Sequence, residues 1–237
     1  MMKCNPVSTP MGPGTKLSKH GDGNRVDATR YRSLIGSLRY LTNTRQYLML
    51  SVGITSRFME EPRYSHWKAL KRILRYVKGT MSFGLLYTNS HYYRLSGYSD
   101  SDWCEDIDDR KITTGYVFLM GDTTFTWLSK KQPIVMLSTC EVEYVAASWS
   151  VRHAIWLRNL LKSLEIMQEE KVLIRVDNRW AIELGKNPVN HERSKYIDVR
   201  FHFIREKLKE GSVELEHVES KKQIADIFTK PLPTRSF

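Results

Sequence analysis

Cysteine is scarce in this 237-residue sequence: Cys4, Cys104 and Cys140 stand far apart, and no Cys-x-x-Cys pair occurs. That disfavours both a disulfide framework and a structural zinc site, and the expected setting is intracellular and reducing. Long hydrophobic runs are missing too. No stretch approaches the roughly 20 apolar residues of a membrane span, so no membrane partner is expected. The N-terminus also lacks the basic-then-apolar layout of a signal peptide. Acid is sparse in the first 90 residues, which hold 15 Lys/Arg against 4 Asp/Glu, whereas the remainder holds 22 of each. The net charge of +11 therefore arises wholly in the first part. Such asymmetry points to a polyanionic partner, although a solvated basic face leaves the same trace.

What is present suits a globular chain: 41% hydrophobic and 11% aromatic residues suffice for a real core. Residues 1–26 are rich in Pro, Gly, Ser and Lys and read as an extended or poorly ordered lead-in. Residues 27–90 read as a basic helical segment. Asp27 is a plausible N-cap for a helix carrying Tyr31, Leu34, Ile35, Leu38 and Leu41 at helical spacing. A second helical run covers about 47–60. In "SHWKALKRILRYVKGT" the stripe is Trp67, Leu70, Ile73, Leu74 and Val77. Lys68, Lys71, Arg72, Arg75 and Lys78 fall largely on the remaining surface, a face suited to lie along a phosphate backbone.

After Gly84 the texture changes to short runs rich in Thr, Val, Phe and Tyr, at about 85–88, 95–100, 113–120 and 123–128, with "MGDTT" (120–124) as a hairpin turn. A long helix follows from Ser138 to about Leu164. Its apolar face is Val142, Val145, Ala146, Trp149, His153, Trp156, Leu157, Leu160, Leu161 and Leu164, and Ser138 with Glu141 forms a capping box. "KVLIRVD" (171–177) and "SVELEHV" read as strands. "NRWAIELGKN", "HERSKYIDVRFHFIREKLKEG" and "KKQIADIFTK" read as helices. The order predicts a mixed α/β domain over 91–237, and no internal repeat is visible.

Four acids hold telling places in that domain. Asp100 ends the first core strand, Glu141 or Glu143 lies in the first turns of the long helix, Asp177 ends the "VLIRV" strand, and Asp226 sits in the last helix. Singly, each has an ordinary use: Asp100 and Asp102 as turn residues, Glu141 in the capping box, Asp177 as an N-cap, Asp226 as a solvated acid. Jointly they suggest a site beyond the carboxyl ends of strands. Clustered carboxylates repel unless a cation joins them. Oxygen ligands without His or Cys favour Mg²⁺ or Mn²⁺, and a pair of such ions about 4 Å apart clamps a phosphodiester for in-line attack.

The motifs "GYSDSDW", "TTGYVFLMGDTTFTWLSKKQPIVMLSTCEVEYVAA", "VDNRWAI", "HERSKYIDVRFHFIRE" and "QIADIFTKPLP" resemble the ribonuclease H domain of copia-type retrotransposon Pol polyproteins. Upstream, "NPVSTPM", "YRSLIGSLRYLTNTR", "HWKALKRILRYVKGT" and "GLLY" resemble the end of the reverse transcriptase, its thumb and connection, in the same polyproteins. The resemblance implies a ribonuclease H-like fold, a five-stranded mixed sheet flanked by helices. It implies Asp100, Glu143, Asp177 and Asp226 as catalytic metal ligands and Mg²⁺ or Mn²⁺ as two ions, and it carries no role over to a histidine in the short stretch before Asp226. Glu143 over Glu141 rests on the match of "EYVAA", since the two lie about 200° apart on a helix and spacing does not separate them. Asp102 is then a neighbouring or turn residue, and Asp198, His202 and His217 are weaker candidates.

The implied activity is endonucleolytic hydrolysis of the RNA strand of RNA–DNA hybrids, leaving 5′-phosphate and 3′-hydroxyl ends. The expected partners are the hybrid and the missing reverse transcriptase portion, and no small-molecule substrate is expected. The setting is cytoplasmic, in a virus-like particle, or nuclear. Two departures matter. The usual "TRPD" reads "TRQY" at Thr44–Tyr47, and the polymerase's Asp-Asp box is absent, so a C-terminal fragment without DNA synthesis is expected. A catalytically decayed nucleic-acid-binding remnant is the alternative. An integrase-like nuclease would want its Glu on a late helix and a His/Cys zinc module, neither of which is evident; a structural interaction domain would leave the acids as surface groups.

Overall fold

The computed structural model describes residues 4–87, 93–102, 106–133, 139–166, 171–186 and 195–232, without the side chains at 140, 186 and 195–201. Three helices come first: α1 (Ala28–Leu41), α2 (Met49–Ser56) and α3 (Tyr64–Gly79). Asp27 caps α1, its carboxylate accepting from the Thr29 and Arg30 amides. Tyr31, Ile35 and Leu38 of α1 interlock with Leu48, Val52, Leu70, Ile73 and Tyr76 to form the helical core. The run expected at 47–60 is shorter, a 3₁₀ turn (Gln46–Leu48) leading into α2. In α3 the fully buried row is His66, Leu70, Ile73 and Tyr76, while Trp67, Leu74 and Val77 pack at its margin.

The lead-in has no helix or long strand, yet it is docked rather than loose. Thr9 and Met11 are buried. The His66 ring is buried against Phe58, accepts at Nδ1 from the Arg63 amide and so donates from Nε2 to the Ser18 carbonyl. A Pro-rich segment cannot satisfy its own carbonyls, and side chains of α3 do it instead.

The second unit is a five-stranded sheet in the order β3-β2-β1-β4-β5: β1 (Leu95–Asp102), β2 (Thr113–Met120), β3 (Thr123–Lys131), β4 (Val172–Val176) and β5 (Val213–His217). Strands β1, β2 and β3 form an antiparallel meander, and β4 and β5 add on parallel to β1. Gly121, at φ 60°, makes the expected β2–β3 turn. The run at 85–88 forms no strand over the residues described (85–87). Helix α4 (Thr139–Ser163) crosses from β3 to β4, and α5 (Arg179–Lys186) and α6 (Lys195–Lys209) lie between β4 and β5. This topology is ribonuclease H-like.

Helix α4 buries Tyr144, Ala147, Val151, Ala154, Leu157 and Leu161 on the sheet core with Phe118, Ile174 and Val176, and Val142 and Val145 on Ile112. Trp156, Leu160 and Leu164, expected on its apolar face, are exposed. Trp156 and Leu160 stand one residue, about 100°, from the Leu157–Leu161 row, which is the row the sheet covers, and Leu164 lies past the end of α4 at Ser163. The stretch 220–230 is not the expected helix but two 3₁₀ turns, Ser220–Lys222 and Ile224–Phe228. Pieces this short do not offset the cost of nucleating an α-helix, and Pro231 follows. They cover the opposite sheet face, where Ala225 and Phe228 pack on Val117. The two units meet through the buried Asp106 carboxylate, which pairs with Arg57 at 2.7 Å and Lys131 at 2.5 Å, and through the Trp127 indole, which donates to the Thr42 carbonyl. Among the described residues no helix is long and apolar enough to cross a membrane.

Candidate metal centre

Asp100 is the sixth of eight residues in β1 and is 1% exposed. Its neighbour across the parallel ladder, β4, ends at Val176, so Asp177 leaves the sheet beside it. Glu143 projects from the first turns of α4. Together Asp100, Glu143 and Asp177 each offer a carboxylate oxygen within 4.8 Å of the others. The structure thus brings Glu143 to the strand-end acids, whereas Glu141, buried two residues earlier, is not in that group. Glu143 Oε2 is buried and has no hydrogen-bond partner among the described residues. Burial pushes the Asp100 carboxyl up to about 7, with the charges of Asp226 and Asp177 adding to the rise and Lys230 and Thr229 opposing it. Burial likewise raises Glu143 well above the usual carboxylate range, and Asp100 and Asp177 add to it.

Asp226 stands at the edge of this group rather than in it. Lys230 Nζ lies 3.1 Å from Asp226 Oδ1 and 3.5 Å from Asp100 Oδ2, and the Thr229 hydroxyl donates to Asp100 Oδ2. Burial works against the Lys230 ammonium, but Asp100, Asp226 and Asp177 outweigh it and hold its pKa above the ordinary value. The Ser220 hydroxyl donates to Asp177 Oδ2 at 3.3 Å, and the Gln223 amide donates to the Ser99 carbonyl at 2.9 Å. The 220–230 segment therefore grips the acids from the far face of the sheet.

That grip depends on Gly115, the cross-strand partner of Asp100. A Cβ there would lie 2.6 Å from Phe228 Cβ, 2.9 Å from Thr229 Cγ2 and 3.3 Å from the Ala225 carbonyl. Gly115→Ala is expected to lift the segment and cost about 1–3 kcal/mol, read as a lower urea midpoint; an unchanged midpoint would contradict this packing.

Sequence reasoning missed Ser220, Gln223, Thr229 and Lys230, because each is an ordinary polar residue locally; the Thr-Lys-Pro that begins three residues after Asp226 was the available signal. Asp102 closes β1 outside the carboxylate group, and His202 and His217 are exposed. Ser138, Trp103 and Cys104, and the side chain of Asp198, lie outside the described residues.

The five basic residues of α3 share one face, but most are engaged. Arg72 donates to the Thr9 carbonyl and hydroxyl, Arg75 to the Asn5 carbonyl at 2.7 Å, and Lys78 to the Cys4 carbonyl at 2.9 Å. Lys71 sits over the Trp67 ring, and Lys68 is exposed. Between lead-in and helix lies a cavity of about 610 Å³ lined by Lys16, Lys68, Lys71, Arg72 and Arg75 among others.

No family model matches the chain. It is 39% identical over all its 237 residues to the retrovirus-related Pol polyprotein from transposon RE2 of Arabidopsis thaliana, spanning 16% of that protein. It is 40% identical, again over its whole length, to the corresponding polyprotein from transposon TNT 1-94 of Nicotiana tabacum, spanning 18% of it. Among solved structures, LC11-RNase H1 in complex with an RNA/DNA hybrid aligns with 57% of this chain and 94% of its own, at 16% identity and a TM-score of 0.41.

Proposed function

From its 39–40% identity, over its whole length, to retrovirus-related Pol polyproteins of which it spans less than a fifth, we propose that this chain is a piece of a copia-type transposon Pol polyprotein and that its sheet unit is the ribonuclease H. It hydrolyses the RNA strand of RNA–DNA hybrids with divalent cations. The observation that carries this reading is the meeting of Asp100, Glu143 and Asp177 within 4.8 Å, with Asp100 buried and one Glu143 oxygen orphaned. An all-carboxylate donor set of this kind fits Mg²⁺ or Mn²⁺. Asp100, Glu143 and Asp177 would hold one ion, and Asp226 with Asp100 would complete a second position. When bound, such ions supply Lewis-acid activation and charge neutralisation at a scissile phosphate.

The chain's own groups do the positioning. Thr229 fixes the Asp100 carboxylate, Ser220 fixes Asp177, and Gln223 ties the segment carrying them to β1. Lys68, Lys71, Arg72, Arg75 and Lys78 form a basic face for phosphates, so hybrid binding falls with salt and shows little sequence preference. DNA synthesis is not part of the proposal.

The test is cleavage of end-labelled RNA in a hybrid, as a single strand and in duplex RNA, with Mg²⁺ or Mn²⁺ and with a chelator. Metal-dependent cutting of the hybrid alone, leaving 3′-hydroxyl ends, is expected. Salt-sensitive hybrid binding without cutting would replace the enzyme by a decayed binding module.

A further inference from the structure

We propose that Lys230 is a tethered counter-cation which holds Asp226 out of the carboxylate cluster and so makes the two ion positions fill in order, unequally. The inference rests on the reading of the cluster as a divalent-metal site.

The backbone fixes the lysine in place. The Thr229 and Lys230 amides both donate to the Asp226 carbonyl, at 3.1 and 2.7 Å, closing a tight turn that Pro231 leaves with a fixed φ. Four residues apart on that turn, Asp226 and Lys230 pair at 3.1 Å. The same ammonium reaches Asp100 Oδ2, which already accepts from Thr229. One cation therefore bridges the two carboxylates that the second ion position would share. Asp100, Glu143 and Asp177 remain grouped without it, and Glu143 keeps a buried oxygen unpartnered.

The charge balance follows. In the metal-free chain Lys230 is the cation nearest the cluster among the pairs the described residues make, offsetting part of the repulsion between Asp100 and Asp226. A first ion can enter at the three-carboxylate side with Lys230 in place. A second ion would have to share the Asp226 and Asp100 oxygens with the ammonium, and like charges that close repel. Asp226 becomes available only when Lys230 swings away, which its partly exposed side chain allows. Lys230 is a positioning residue, acting through Asp226 and Asp100.

The experiment is calorimetric titration of Mn²⁺ into the metal-free full chain, its Lys230→Met variant and its Lys230→Arg variant, with melting followed by circular dichroism in chelator. The intact chain should show one tighter and one weaker site. Lys230→Met should tighten the weaker site by at least about tenfold, leave the tighter site within a few-fold, and melt lower in chelator. Lys230→Arg should keep the intact chain's two-site pattern. If Lys230→Met does not fold without metal, Lys230→Arg alone decides: a tightened weaker site there overturns the proposal. Two sites unchanged in Lys230→Met would overturn the role of Lys230 and leave the metal reading standing. No saturable binding by any of the three chains would overturn both.

Discussion

Asp177→Asn should reduce metal-dependent hybrid cleavage by roughly a thousandfold or more, since groups that act as one unit lose nearly all their effect when one is removed. The same substitution should raise stability in metal-free buffer. Asp177 shares a 4.8 Å neighbourhood with Asp100 and Glu143, and its charge is among the causes that push both of their pKa values up. Replacing it with a neutral isostere removes that repulsion and is worth on the order of 1 kcal/mol at effective dielectrics between protein surface and water. The paired outcome separates the functional reading from the structural one. A structural acid would lose stability on substitution, through its bond from Ser220, and would spare activity in whatever remained folded. Cutting at the parent rate by a folded Asp177→Asn would remove Asp177 from the site.

The metal-free chain should also lose stability as pH rises from about 5 to 8, the reverse of ordinary acid denaturation. Asp100 has a folded-state pKa of about 7 against an unfolded value of about 3.9, and Glu143 is raised in the same direction. Below the unfolded value both states hold the proton and the contribution is fully present. Between the two values the unfolded chain releases its proton while the folded chain keeps it, so stability falls until pH passes the folded pKa. Mg²⁺ or Mn²⁺ should reverse the trend, because the ion binds the deprotonated ligands and competes better at high pH. At about a hundredfold excess over its dissociation constant an ion stabilises by about 2.7 kcal/mol, or roughly 5–10 °C for a chain of this size. The shift on adding metal should therefore be large at pH 8 and small at pH 5.5. An equal shift at both would mean that the ion binds elsewhere.

Much of this site was legible in the residues because its chemistry is carried by strand ends and one helix start. Hydrophobic alternation put Asp100 and Asp177 at strand ends; in the structure Asp100 lies two residues inside the end of β1 and Asp177 just past β4, and the helix pattern put two glutamates near them. Periodicity could not choose between Glu141 and Glu143, since both flank the buried row; the choice needed the crossing of α4 over β1. Asp226 was placed in a helix because "KKQIADIFTK" has helical spacing, but five residues before a proline close as a 3₁₀ turn instead. The same segment hid Lys230, whose partner Asp100 is 130 residues away and has no local trace. Trp156 and Leu160 misled for a related reason: an apolar side chain records propensity to be buried, not whether the sheet extends far enough to cover it. The basic face of α3 was visible as composition, while its engagement by Cys4, Asn5 and Thr9 is a tertiary fact.

The central claim is that Asp100, Glu143 and Asp177 form a divalent-cation site. Its most direct measurement is equilibrium binding of Mn²⁺ to the metal-free chain and to Asp100→Asn, followed by electron paramagnetic resonance of the free ion. Saturable binding by the intact chain, weakened at least about tenfold in Asp100→Asn, is the predicted result. Equal binding by the two chains, or none by either through the millimolar range, would contradict it.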